Sequence, residues 1–131
     1  MGLGPVRGLA AEAGSPLLIC GHNKAGTSLL VSLLDGHPDV LSFPEETKYF
    51  RKIYGRPELG NAEALLTRTR ISRLAGDRDV ALEKGRDFSA VDQAVFEAEL
   101  RALLSGPVPP CDLLPAVILA YTRAIGEKPR R

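Results

Sequence analysis

The chain is poor in the features that mark secreted, membrane and nucleic-acid-binding proteins. It has two cysteines, Cys20 and Cys111, in 131 residues. They have neither a CxxC spacing nor the density of a disulfide scaffold, so both read as reduced thiols and the expected compartment is the cytoplasm. Seventeen basic against sixteen acidic residues leave a formal charge of +1. No global field then draws the chain to nucleic acid or an anionic membrane, and any anion site has to be local. The apolar run at residues 116–121 falls far short of the ~20 residues that span a bilayer. Residues 1–14 carry no continuous apolar segment of the kind a secretory signal needs. Val6 stands where a myristoylation motif requires serine or threonine. This stretch is expected to be a mobile tail. No internal repeat or low-complexity segment is present.

The remaining chain, residues 15–131, has enough apolar content for one domain, at 44% hydrophobic and 25% charged overall. Residues 17–20, short and uniformly apolar between Pro16 and Gly21, suit a strand buried on both faces of a parallel sheet. From Thr27, the leucines at 29, 30, 33 and 34 give a helix that stops at Gly36 with Pro38 beyond. Residues 40–43 form a second candidate strand, ended by Pro44. In a β-α-β unit the right-handed crossover would bring both strand ends to one edge.

Helical patterning then takes over. A short charged helix is expected over residues 45–54, and another over 57–74 with Ala62, Leu65, Leu66 and Thr69 on one face. A capping box at residues 89–92 opens a helix with Val91, Val95, Leu100, Leu103 and Leu104 inward. Asp112 can cap a last helix whose inward residues are Leu114, Val117, Ile118, Tyr121 and Ile125. The expected fold class is therefore α/β: a P-loop-type parallel sheet core, incomplete at about two strands, with a mostly helical remainder. Two strands are too few for a finished sheet of this kind, so the chain is expected to be the front part of a longer protein.

The residues most suited to chemistry lie in the turn between the first strand and its helix. Gly21 and Gly26 have the spacing of G-x-x-x-x-G-K-[ST], and Thr27 and Ser28 open the helix, whose free N–H groups and positive dipole end face the turn. A nucleotide triphosphatase would carry lysine where Thr27 stands. The cation here is Lys24, three residues earlier.

The run Gly21-His22-Asn23-Lys24-Ala25-Gly26-Thr27-Ser28, then Leu33-Leu34-Asp35-Gly36-His37-Pro38-Asp39-Val40, then Pro44-Glu45-Glu46-Thr47 resembles the N-terminal segment of the sulfotransferase superfamily, in its tyrosylprotein and bacterial branches. The likeness covers about residues 16–50. It implies a donor, 3′-phosphoadenosine-5′-phosphosulfate, held by Asn23, Lys24, Ala25, Gly26, Thr27 and Ser28, and an acceptor hydroxyl or amine on a small molecule or peptide. It implies no metal. Lys24 would stabilise charge on the bridging oxygen as the sulfur–oxygen bond breaks, with backbone N–H groups 25–28 and the Thr27 and Ser28 hydroxyls on the 5′-phosphate. Glu46 maps to the base that takes the acceptor's proton.

Each assignment has a structural alternative. Lys24 can be a solvated loop lysine, and Glu45 and Glu46 can merely favour a helix N-terminus. His37 reads as a helix exit whose ring caps carbonyls, Arg51 and Lys52 as a solvated face, and Cys20 as a buried core residue. His22 departs from the family pattern, and Ala25 replaces its usual serine. The family grips the 3′-phosphate with an arginine and a serine on later elements, so little turnover is expected of these 131 residues alone. Two other classes remain open, an ATP-binding P-loop protein or kinase and a non-catalytic interaction chain.

Overall fold

The computed structural model describes residues 8–22, 24–34, 37–43, 46–69, 71, 91–106 and 108–125. Among them every regular element is helical and no strand occurs. The expected α/β sheet is therefore corrected to an all-helical arrangement. Residues 17–20 and 40–43 run without regular structure and enter no ladder. A strand is stable only when its N–H and C=O groups pair with neighbours. Here the apolar surface that would cover a sheet packs helix on helix instead.

The centre of the fold is an antiparallel pair, α4 (Gln93–Leu103) against α5 (Leu113–Ala124). Of the capping box expected over residues 89–92, residues 89 and 90 lie outside the described residues, and the N-cap of α4 is Asp92. Its carboxylate accepts the Val95 N–H at 3.1 Å, and its own N–H donates to the Ala124 carbonyl at 3.2 Å, fastening the start of α4 to the end of α5. Phe96 and Leu100 are fully buried in one cluster with Ala116, Val117 and Ala120. The alanines of α5 offer little bulk, which lets the larger side chains close the gap. α5 is buried almost all round, from Leu113 and Pro115 through Leu119 to Thr122, whereas a single inward stripe was expected. Thr122 satisfies its hydroxyl by donating to the Ile118 carbonyl at 2.8 Å. Pro115 is tolerated because it lies in the first turn, ahead of most of the helical hydrogen bonds.

Shorter pieces wrap this pair. α3 (Ala62–Arg68) is capped by Asn61, which accepts from the Ala64 N–H at 2.9 Å, and buries Ala62, Leu65 and Leu66 as the periodicity predicts. The predicted charged helix before it shrinks to one wide turn, Tyr49–Ile53, closed by Tyr54 N–H to Tyr49 C=O at 2.8 Å. Tyr49 anchors that turn by donating its hydroxyl to the Pro110 carbonyl at 2.8 Å. Asp112 makes no side-chain cap to α5. Its carboxylate lies beside Gly8, at the start of α1 (Leu9–Ala13). α1 occupies part of the stretch expected to be a mobile tail. It packs on α5 and buries Ala13. Arg123 on α5 reaches Glu12 of α1 at 3.0 Å and Glu99 of α4 at 2.7 Å, so one guanidinium ties three helices.

Between α1 and the Leu41–Phe43 contact with the core, the chain leaves this body. None of the described residues from 14 to 40 is buried. Leu17, Leu29 and Leu33 are 78%, 65% and 71% exposed. The excursion carries α2 (Thr27–Leu34) and is held at one end by α1 and at the other by Phe43, whose ring meets Tyr121 edge-on at 5.2 Å. Among the described residues no helix is long and apolar enough to cross a membrane.

Two outcomes test this partition. Leu100→Ala removes a fully buried side chain and should cost about 2–5 kcal/mol in urea unfolding, whereas Leu30→Ala should stay within about 0.5 kcal/mol in dilute solution. Tyr49 titrates above its ordinary value of 10.0, chiefly because burial disfavours the phenolate, with Tyr54 and Cys111 adding to the effect. The native group thus holds its proton more tightly than the unfolded one. Stability should be intact below about pH 10 and fall as pH rises through the higher native value. Tyr49→Phe should lower stability by about 1 kcal/mol at neutral pH and flatten this alkaline decline.

Candidate functional site

The turn that leads into α2 is built by two glycines and a strained lysine. Ala25 donates its N–H to the His22 carbonyl at 3.0 Å, closing a tight turn. Lys24 within it has φ 62 and Gly26 has φ 83. Left-handed backbone is open to glycine and costs a lysine roughly 1–2 kcal/mol. A Cβ on Gly21 would stand 3.0 Å from Thr27 Cγ2 and 3.4 Å from the Ala25 Cβ. The two ends of the loop therefore close on each other, and glycine at position 21 is what permits it.

The first intrahelical bond of α2 runs from Leu30 N–H to the Gly26 carbonyl at 3.0 Å. The N–H groups of Thr27, Ser28 and Leu29 precede it, without intrahelical acceptors, and point back toward the turn. Of the predicted anion donors, Ala25 has its N–H already committed within the turn. That N–H donates to the His22 carbonyl at 3.0 Å, whereas those of Thr27 and Ser28 have no intrahelical acceptor. Asn23 lies outside the described residues. Lys24 is exposed and, among the described residues, enters no ion pair. The loop thus gathers one cation and a row of helix-end donors on an exposed turn, an arrangement that can hold an anion.

The acidic segment is placed differently from expectation. Glu45 lies outside the described residues. Glu46 is exposed and sits 3.6 Å from the Lys48 ammonium. Its expected place beside the loop required two strands ending at one sheet edge, and no such sheet occurs among the described residues. Among the described contacts nothing joins Lys24 to Glu46. Lys48 is the residue that sequence reasoning passed over. It is half-buried, has φ 50, and precedes the wide turn at Tyr49. Its signal was the Glu46-x-Lys48 spacing. Lys24 and Lys48 are the non-glycine residues with positive φ among the described residues, and each borders a motif segment. Strain of this kind concentrates at functional positions.

His37 ends α2, but not by capping carbonyls with its ring. Its backbone N–H donates to the Leu34 carbonyl at 3.1 Å, while its Nδ1 accepts the Asp39 N–H at 3.1 Å. Asp35 and Gly36 lie outside the described residues. Cys20, expected in the core, is exposed, since the strand that was to bury it does not form. Arg51 and Lys52 are exposed, in line with a solvated face. Among the described residues no three His, Cys, Asp or Glu side chains converge as metal ligands do.

The loop closure is tested by Gly21→Ala. The added methyl should shift the amide resonances of Ala25 and Thr27 in a heteronuclear correlation spectrum. Those of Phe96, Leu100 and Val117 should stay in place.

No family model matches the chain, and neither a curated protein nor a solved structure is similar to it, so its function has to be argued from its own residues.

Proposed function

We propose that the chain binds a sulfuryl donor through the turn at Lys24 and serves sulfuryl transfer to a hydroxyl or amine acceptor. One observation carries this. Lys24 in left-handed backbone, Gly26 at φ 83 and the open end of α2 follow one another without a break. That order puts a cation beside a row of N–H donors, which suits a single phosphate bearing a sulfonate. The absence of lysine at Thr27 disfavours a nucleoside triphosphate, whose additional phosphates need a cation at that place.

The donor, 3′-phosphoadenosine-5′-phosphosulfate, supplies an activated sulfur on a phosphate leaving group. The chain's residues divide the remaining work. The N–H groups of Gly26, Thr27 and Ser28 and the hydroxyls of Thr27 and Ser28 hold the 5′-phosphate. Lys24 neutralises the charge that builds on the bridging oxygen as its bond to sulfur breaks and the bond from sulfur to the acceptor forms. Glu46 receives the acceptor's proton, its carboxylate steadied by Lys48. This last role requires residues 46–48 to approach the loop when the ligands are bound. A second reading, an interaction chain without catalysis, draws on the exposure of residues 14–40.

Calorimetric titration with 3′-phosphoadenosine 5′-phosphate, a stand-in for the spent donor, tests the first reading. Binding should be saturable and should weaken about ten-fold or more in Lys24→Ala, the loss expected for one charge-assisted contact. Tighter binding of ATP with magnesium would replace the sulfuryl donor by a nucleoside triphosphate. Binding of neither would leave the interaction reading.

A further inference from the structure

Aromatic residues are scarce in this chain, three tyrosines and four phenylalanines with no tryptophan, yet Tyr49, Phe50 and Tyr54 fall almost together. Residues 48–56 read KYFRKIYGR, with Lys48, Arg51, Lys52 and Arg56 and no acidic residue, in a chain whose total charge is only +1. The wide turn Tyr49–Ile53 sorts these side chains. Tyr49 and Ile53 go inward, and Tyr49 fixes the turn to the helical body through the Pro110 carbonyl. Phe50 and Tyr54 go outward, 65% and 60% exposed, with ring centroids 6.1 Å apart. Arg51, Lys52 and Arg56 interleave with them in sequence, are exposed and, among the described residues, enter no ion pair. The backbone that makes this display is costly. Lys48 has φ 50, and the bond from Tyr54 N–H to the Tyr49 carbonyl spans five residues, a rare helical form found mostly at functional sites.

We infer that this turn is a binding platform for single-stranded nucleic acid, whose phosphates pair with Arg51, Lys52 and Arg56 and whose bases stack on Phe50 and Tyr54. Charge selects a polyanion. Three closely spaced cations gain most from a ligand that repeats its negative charge along its length. Lys48 is set apart from them, because Glu46 stands 3.6 Å from its ammonium. The kind of apolar surface then selects among polyanions. Ile53, the aliphatic side chain of residues 48–56, is buried, so the exposed apolar surface there is aromatic. An anionic membrane takes up aliphatic as well as aromatic side chains, and an acidic peptide has no repeating flat surface to lay on a ring. Every base has such a surface, and a single strand leaves it free, whereas a duplex keeps its bases stacked on one another. A near-neutral chain is compatible with this, since the attraction acts within a Debye length of the turn.

The platform does not depend on what the turn at Lys24 binds, so it stands or falls separately from the donor. Fluorescence anisotropy of the full chain with a labelled oligothymidylate of about ten nucleotides tests it. Binding should be saturable at low salt, with a log–log salt slope of about −2, the value for three phosphate contacts on a single strand. Phe50→Ala/Tyr54→Ala should weaken binding at least about ten-fold, the loss expected when stacked bases lose their rings. Arg51→Gln/Lys52→Gln should bring the salt slope to about −0.7. All four side chains are exposed, so both variants should keep the parent's thermal midpoint. A duplex of the same length should bind more weakly, and Lys24→Ala should bind the oligonucleotide as the parent does. No binding at low salt, a duplex bound as tightly as the single strand, loss of binding in Lys24→Ala, or an aromatic double variant that binds like the parent would each overturn the assignment. So would phosphatidylserine vesicles that displace the oligonucleotide.

Discussion

The burial of Phe96 and Leu100 between α4 and the alanine-bearing face of α5 is the contact from which the other elements take their places. It fixes the direction of α5, and with it the position of Arg123, which then reaches Glu99 on α4 and Glu12 on α1. Exposed ion pairs of this sort contribute about 0–1 kcal/mol each. Arg123 therefore orients α1 more than it stabilises the fold, while the buried apolar cluster supplies the stability. Tyr49, by bonding to Pro110, attaches the wide turn to the same body.

The loop of residues 21–28 stands in a different relation to that core. Its geometry is set locally, by Gly21 against Thr27, by the Ala25–His22 hydrogen bond and by the positive φ of Lys24 and Gly26. Its helix, eight residues long, is shorter than the ~12–15 residues at which isolated helices become even marginal in water. With none of its residues buried, α2 draws little from the core, and its persistence depends on what covers its leucines or occupies its N-terminal end. Anion binding at that end would act on this weak point directly.

Local signals were legible and long-range ones were not. A helix start near residue 92 was legible as a capping box, because a cap is a contact between residues three apart, while the Asn61 cap of α3 carries the same local signal and was not drawn on. The buried positions Leu65, Leu66, Leu100 and Val117 followed from helical periodicity. The start of α2 at Thr27 and the need for glycine at positions 21 and 26 followed from turn chemistry. The strands failed for a physical reason. A short apolar run such as residues 17–20 has the same pattern in a buried strand and in an uncovered extended segment, and only partners distant in sequence decide between them. The sheet edge invoked to place Glu46 beside the loop went with them, and among the described contacts nothing joins Glu46 to Lys24. The Glu12–Arg123 contact, between residues 111 apart, left no trace in any local pattern.

The proposed role of residues 24–28 as an anion-binding turn for a sulfuryl donor's phosphate is open to direct measurement. Amide chemical-shift mapping with 3′-phosphoadenosine 5′-phosphate addresses it most directly. The account predicts saturable shifts concentrated at Lys24, Gly26, Thr27 and Ser28, with the α4–α5 core resonances unmoved. Shifts centred elsewhere on the chain, or none at ligand saturation of the solubility limit, would contradict it.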